Sequence, residues 1–293
     1  MSVFVSTTFA PLDSRLTEVV DALLAAGVRR IELGSTHCYE GGLGEALEKR
    51  PAEYLVHNYC PAPREPFVVN IASLDAAVRA RSLAHIVESL EFCARIGARL
   101  YTFHPGFLSD PEGPSQSTSN HDFRFRSVEG RDYERAWAHF VEGCRSIAVE
   151  ARARGVRVAV ETQGAVARRE ELLLQRPGEM RRLFAEVADA GVEINLNLAH
   201  LALAANAFGF ERAELVDVAA RRLAAVEVSH NEGVHDEHRP LVDGAWYWSV
   251  IRAAELRAVP IILETRDTPL ATIVACATAM EAARASGEQA VAR

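Results

Sequence analysis

Histidines, carboxylates and one carboxamide of this 293-residue chain recur where a short apolar run has just ended. His57 closes Tyr-Leu-Val-His, His104 follows Leu-Tyr-Thr-Phe, and Glu161 closes Val-Ala-Val-Glu. Asn197 and His200 follow Ile-Asn-Leu, Glu227 and His230 flank Val-Ser, and Glu264 closes Ile-Ile-Leu. The stretch from His230 to His238 adds Asp236 and His238, whose spacing lets a loop turn both toward one ion. Imidazole and carboxylate together suit a divalent cation such as Zn2+ or Mn2+. Glu161 and Glu264 as a pair also suit general acid–base work. A lone His57 or His104 would serve equally as a satisfied structural histidine, and Glu227 could simply pair with an arginine. The series is what points to a site: burying so many polar groups uncompensated would cost on the order of several kcal/mol, and a cation would satisfy them together. His85 and His139 fall inside helical patterns and read as structural.

Positioning such a series requires that the ends of the apolar runs meet. Eight runs rich in β-formers are legible: Val3–Thr7, Arg30–Leu33, Tyr54–His57, Leu100–His104, Arg157–Glu161, Glu193–Leu196, Ala225–Ser229 and Ile261–Glu264. Helical periodicity fills the intervals, as over Arg15–Ala26, Ala80–Ile96, Tyr133–Arg154, Glu179–Ala190 and Trp246–Ala258. Gly27, Gly97, Gly155 and Gly191 stand where helices commonly end. Alternating β and α units predict a parallel sheet, and eight of them close into a (β/α)8 TIM barrel whose C-terminal strand ends converge on one mouth. No linker divides the chain, so residues 1–293 read as a single domain. The stretch 105–131, rich in Gly, Pro, Ser, Asn and Asp, predicts a long loop on the catalytic face, either a lid or a disordered insertion. Ser286–Arg293 reads as a frayed end.

Composition narrows the chemistry. Hydrophobic residues make up 49% and charged residues 25%, enough for a large core. The five cysteines are scattered without a CxxC pair, which argues against a disulfide framework or a thiolate zinc site. Lys49 is the sole lysine, in a polar stretch, so Schiff-base chemistry has little to stand on. A net charge of −8 repels a phosphate backbone and argues against nucleic acid as a partner. No apolar run is long enough for a membrane span, and the first ten residues lack signal-peptide features. A cytoplasmic location is expected, and a homo-oligomer remains open.

The pieces His57-Asn-Tyr, Val69-Asn-Ile-Ala-Ser73, Phe103-His-Pro-Gly106, Ala159-Val-Glu-Thr162, Asn197-Leu-Ala-His200, Asp236-Glu-His238-Arg-Pro-Leu-Val-Asp-Gly244 and Ile262-Leu-Glu-Thr265 resemble, in order and spacing, the xylose isomerase-like barrels. That superfamily includes sugar and sugar-phosphate isomerases and epimerases and the endonuclease IV family. The resemblance implies one to three ions. One would be held by His57, His104 and Glu161, another by His200, Asp236 and His238. A third would take Glu161, Asn197, Glu227 and Glu264, where Asn replaces the family's Asp and Glu its His. Three Glu and one Asn favour a harder ion than zinc. His230 is the alternative ligand to Glu227.

The resemblance implies a metal-dependent isomerase or epimerase, with Glu161 and Glu264 as ligands and proton carriers. A catalytic lysine of the xylose isomerase kind has no counterpart here. The alternative is a phosphoester hydrolase similar to endonuclease IV, an abasic-site enzyme. Two complete ligand sets favour it; the acidic chain and a Gly34–Gly42 stretch without arginine argue against it. A metal-free binding protein on the same barrel is a third reading. Arg239 and Arg266 follow the last two strands and suit an anionic small molecule. Tyr59 and Trp246 could wall a sugar ring. The expected partner is a small carbohydrate-like substrate.

Overall fold

Parallel strands covered on both faces read as near-continuous apolar runs, and eight of them close a barrel here. In the computed structural model, residues 3–114, 123–125, 132–164, 172–253 and 256–291 are described. The barrel strands are β1 (Val3–Ser6), β2 (Arg30–Leu33), β3 (Glu53–His57), β4 (Leu100–Phe103), β7 (Arg157–Glu161), β8 (Glu193–Asn197), β9 (Leu223–Val228) and β10 (Ile261–Leu263). Their order around the barrel is β1-β10-β9-β8-β7-β4-β3-β2. Val3 opposite Ile261 and Val5 opposite Ile31 close the ring in parallel register. All eight expected runs are therefore strands.

The other two strands, β5 (Pro111–Pro114) and β6 (Phe123–Phe125), pair antiparallel within the long stretch after β4. A stretch expected to be lid or disorder thus carries a small hairpin. Residues 115–122 and 126–131 of that loop lie outside the described residues.

The surrounding helices are α1 (Leu16–Ala25), α2 (Leu43–Glu48), α3 (Ala76–Ile96), α4 (Asp132–Ala153), α5 (Pro177–Glu186), α6 (Leu198–Phe208), α7 (Arg212–Ala219), α8 (Tyr247–Arg252) and α9 (Leu270–Val291). Capping explains several of their bounds. Asp75 accepts from the N–H groups of Ala77 and Val78 to start α3, and Gly97 ends it with φ of 74°. Gly27, Gly155 and Gly191 also have positive φ, as their positions after helical patterns led one to expect. At the C-terminus α9 continues helical through Val291, where a frayed end was expected.

Side chains alternate along each strand. One set, including Val5, Ile31, Leu33, Val56, Phe103, Val160, Ile194 and Leu263, packs with the helices in the main core. The other set faces the barrel interior. There Phe4, Leu55, Leu100, Ala159, Ala225 and Ile262 form a separate apolar cluster. Two residues further along the same strands stand Ser6, His57, Thr102, Glu161, Glu227 and Glu264, all buried and all polar. The apolar plug thus supports a polar mouth.

Candidate metal centre

Three groups of potential ligand atoms meet in that mouth, each with atoms within 4.8 Å of one another. The first joins β3, the end of β4 and β7. Nε2 of His104 and of His57 lie 3.1 and 3.7 Å from Glu161 Oε2, a buried oxygen that accepts no hydrogen bond. His57 Nδ1 is 2.8 Å from Thr102 Oγ1, which fixes the ring and leaves Nε2 toward the glutamate. Burial holds His57 down at about 4 against the nearby Glu161 charge, so it is neutral, the form in which imidazole ligates. For Glu161 burial alone would raise the carboxyl, but His104 and His200 hold it well below the usual range.

The second group joins the start of α6 to the loop after β9. Asp236 Oδ2 lies 3.1 Å from His200 Nε2 and 2.9 Å from His238 Nε2. His200 Nδ1 must donate to the Thr162 carbonyl at 2.8 Å, because a carbonyl can only accept. Its Nε2 therefore points at a carboxylate and needs either a second proton or a cation between them. The charges say the same: against the cost of burial, Asp236 drives His200 well above its ordinary value and His238 up to about 9. Asp236 itself is driven well below. His238 is held in the left-handed backbone region, with φ of 46°, and its Nδ1 lies 3.3 Å from Glu264 Oε2. Burial would raise Glu264 too, but His238 lowers it. An unpaired buried oxygen facing two imidazoles in the first trio, and two imidazole nitrogens turned on one carboxylate oxygen in the second, fit a divalent cation.

The third group, Glu32, His57 and Glu227, is of another kind. His57 Nδ1 is already engaged by Thr102, and 4.0 Å separates it from Glu227 Oε1. Glu32, 1% exposed on β2, was missed in the sequence. Burial and the Glu264 charge push its carboxyl up to about 8. Glu227 is likewise raised, by burial and by Glu161 and Glu32. The available signal for Glu32 was parity: between Ile31 and Leu33 of the core it has to face the interior. Attention to strand ends alone passes over it.

Asn197, at the end of β8, lies between Glu161, Glu227 and Glu264, with its Nδ2 3.0, 3.1 and 3.4 Å from their oxygens. His230 is not in any of the three groups; its ring is 3.2 Å from Glu232 and 3.4 Å from the Tyr247 hydroxyl. Of the residues expected at the substrate, Arg266 is near enough to lower His238 through its charge. Arg239 is exposed and paired with Glu237 and Glu232. The Tyr59 hydroxyl accepts from the Val69 N–H at 2.8 Å. Trp246 is covered by the Arg212 guanidinium at 4.8 Å. Tyr59, Arg239 and Trp246 thus have structural partners outside the ligand groups.

Fold and mouth together define a (β/α)8 protein with its polar chemistry on the strand ends. The chain matches the family described as xylose isomerase-like TIM barrel over residues 20–287, and belongs to it. Among similar solved structures is a D-tagatose 3-epimerase-like protein, 16% identical, with a TM-score of 0.74 over 99% of this chain and 100% of that one. A D-psicose 3-epimerase in the presence of D-fructose is 17% identical, with a TM-score of 0.70 over 96% and 97%. A Thermus thermophilus protein soaked with ZnCl2 is 20% identical, with a TM-score of 0.64 over 96% and 98%. A probable endonuclease 4 of Aquifex aeolicus is 39% identical over 51 residues, 16% of this chain and only 18% of that protein. Among the described residues no helix is long and apolar enough to cross a membrane.

Proposed function

We propose that the chain is a metal-dependent isomerase or epimerase that moves a proton on a small carbohydrate-like substrate. The observation that carries this reading is the convergence of Glu161 and Glu264: both carboxylates, from strands across the mouth, come within 3.4 Å of one atom, Asn197 Nδ2. Such a pair can take a proton from one face of a carbon and return one at the other. Histidines lower both Glu161 and Glu264, so either can start as the base, and its partner has to carry a proton when substrate is bound in order to return one. His104, with 28% of its side chain exposed, is the member of the first trio that reaches the surface. The expected ligands are His57, His104 and Glu161, and His200, Asp236 and His238. A bound divalent cation would polarise the substrate carbonyl and stabilise the enediolate. Arg266 would favour an anionic group. The similarity to sugar 3-epimerases supports the substrate class.

Phosphoester hydrolysis is the second reading, because two ligand trios joined through Glu161 are more than a one-ion epimerase needs. Parallel assays separate the two: deuterium incorporation from solvent into ketoses and ketose phosphates, and incision of an abasic-site oligonucleotide at low salt. Exchange without incision is expected. Metal-dependent incision with no exchange into any sugar would replace the first reading by the second.

A further inference from the structure

The resemblance assigns a third ion to Glu161, Asn197, Glu227 and Glu264, and these side chains do not fit one. We propose that the Asn197 carboxamide stands in that ion's place, so that the chain holds two cations per molecule and none at the centre. The inference rests on the reading of the two histidine trios as metal sites. It goes beyond that reading by assigning how many ions the mouth takes and which residue sets the number.

The orientation of Asn197 follows from the helix it starts. Its Oδ1 accepts from the backbone N–H groups of Ala199 and His200, at 3.0 and 3.1 Å, and caps α6. Only an oxygen can meet two N–H groups, so the amide cannot be flipped without leaving both donors unmet. Its NH2 is therefore committed to the carboxylates of Glu161, Glu227 and Glu264. A donor group presents no lone pair to a cation, and its nitrogen occupies the point on which the three carboxylates close. Glu227 is bound up as well: Asn195 Nδ2 donates to its Oε1 at 2.7 Å, while Asn197 takes its Oε2. Two amides of one strand thus hold both oxygens of the carboxylate that would have been the third ion's ligand. The outer trios are untouched, since they use Glu161 Oε2 and the Asp236–histidine set.

Aspartate at 197 would keep the cap, because either carboxylate oxygen accepts as well as the amide's, but would turn the second oxygen toward three other carboxylates. A proton could bridge only two of these oxygens, whereas a cation would reconcile all of them at once. The test is metal content by elemental analysis after chelator treatment, reloading with excess Zn2+ or Mn2+, and desalting. The expected result is two ions per chain in the wild type and three in Asn197→Asp. Any wild-type count other than two overturns the proposal, as does Asn197→Asp holding two with a wild-type circular dichroism spectrum. If that variant does not fold, Glu227→Gln decides alongside the wild type. It should still hold two ions, and a drop to one would make Glu227 a ligand and defeat the proposal. The functional reading fails separately. Two ions without sugar-proton exchange would leave this inference standing, and exchange by a three-ion protein would leave only the reading.

Discussion

The lower and upper halves of the barrel interior share the same strands and the same alternation, yet are built for opposite ends. Below, Phe4, Leu55, Leu100, Ala159, Ala225 and Ile262 fill the space without a polar atom to satisfy. Above, two residues on, the same strands present Ser6, His57, Thr102, Glu161, Glu227 and Glu264 to one another. The lower layer gains from burial, each large side chain contributing about 1.5–3 kcal/mol. The upper layer buries like charges that burial disfavours. One half supplies stability, and the other can be unstable by itself because the first holds the strands.

The sharpest test of that division is Glu161→Gln, which strikes the residue shared by the proposed ligand set and the proposed acid–base pair. Turnover should fall by about 10³-fold or more, and the metal-free protein should also lose stability, because the buried histidines lose the carboxylate that pairs with them. A variant that melts early but turns over normally would show that Glu161 belongs to the scaffold. The opposite effect on turnover is expected one layer down: Leu100→Ala should cost about 3 kcal/mol in urea unfolding and leave turnover per folded molecule within about twofold. Loss of activity without loss of stability there would erase the distinction between the halves.

A smaller effect compares two buried histidines. His200 faces a carboxylate and is raised, whereas His85 in α3 faces the rings of Phe67 and Tyr59, at 5.7 and 6.3 Å. Burial, with the Arg81 charge, holds His85 down at about 4. An unfolded histidine titrates near about 6.5, so the unfolded chain takes up a proton that the folded chain refuses until about pH 4. Stability should fall as pH drops through that window, by at most about 3 kcal/mol for this group. Between pH 7 and 4 the urea midpoint of wild type should fall relative to that of His85→Gln as the solution is acidified. Parallel curves would mean His85 takes its proton freely in the fold.

Much of this was legible because barrel geometry leaves few choices. Once the runs ending at His57, His104, Glu161 and Glu264 are parallel strands of one ring, their ends have to meet. Pro111–Pro114 was not legible as a strand, since proline gives up a ladder donor and sequence rules count it against pairing. The orientation of Asn197 was hidden for a different reason. Sequence gives its type and place, but which end of the amide faces the mouth depends on two backbone N–H groups of a helix that the sequence reading did not assign.

Gly164 carries the last consequence. A Cβ at this position would overlap the backbone of His200, whose ring bonds to the Thr162 carbonyl two residues earlier. Any side chain there would have to push the start of α6 away from β7, dragging Asn197 and His200 together. Position 164 is therefore a gauge of spacing between two segments that never pair as strands. As the sequence drifts, a glycine retained there would mark descendants that keep the mouth at this width, and its loss would mark those that have rebuilt it.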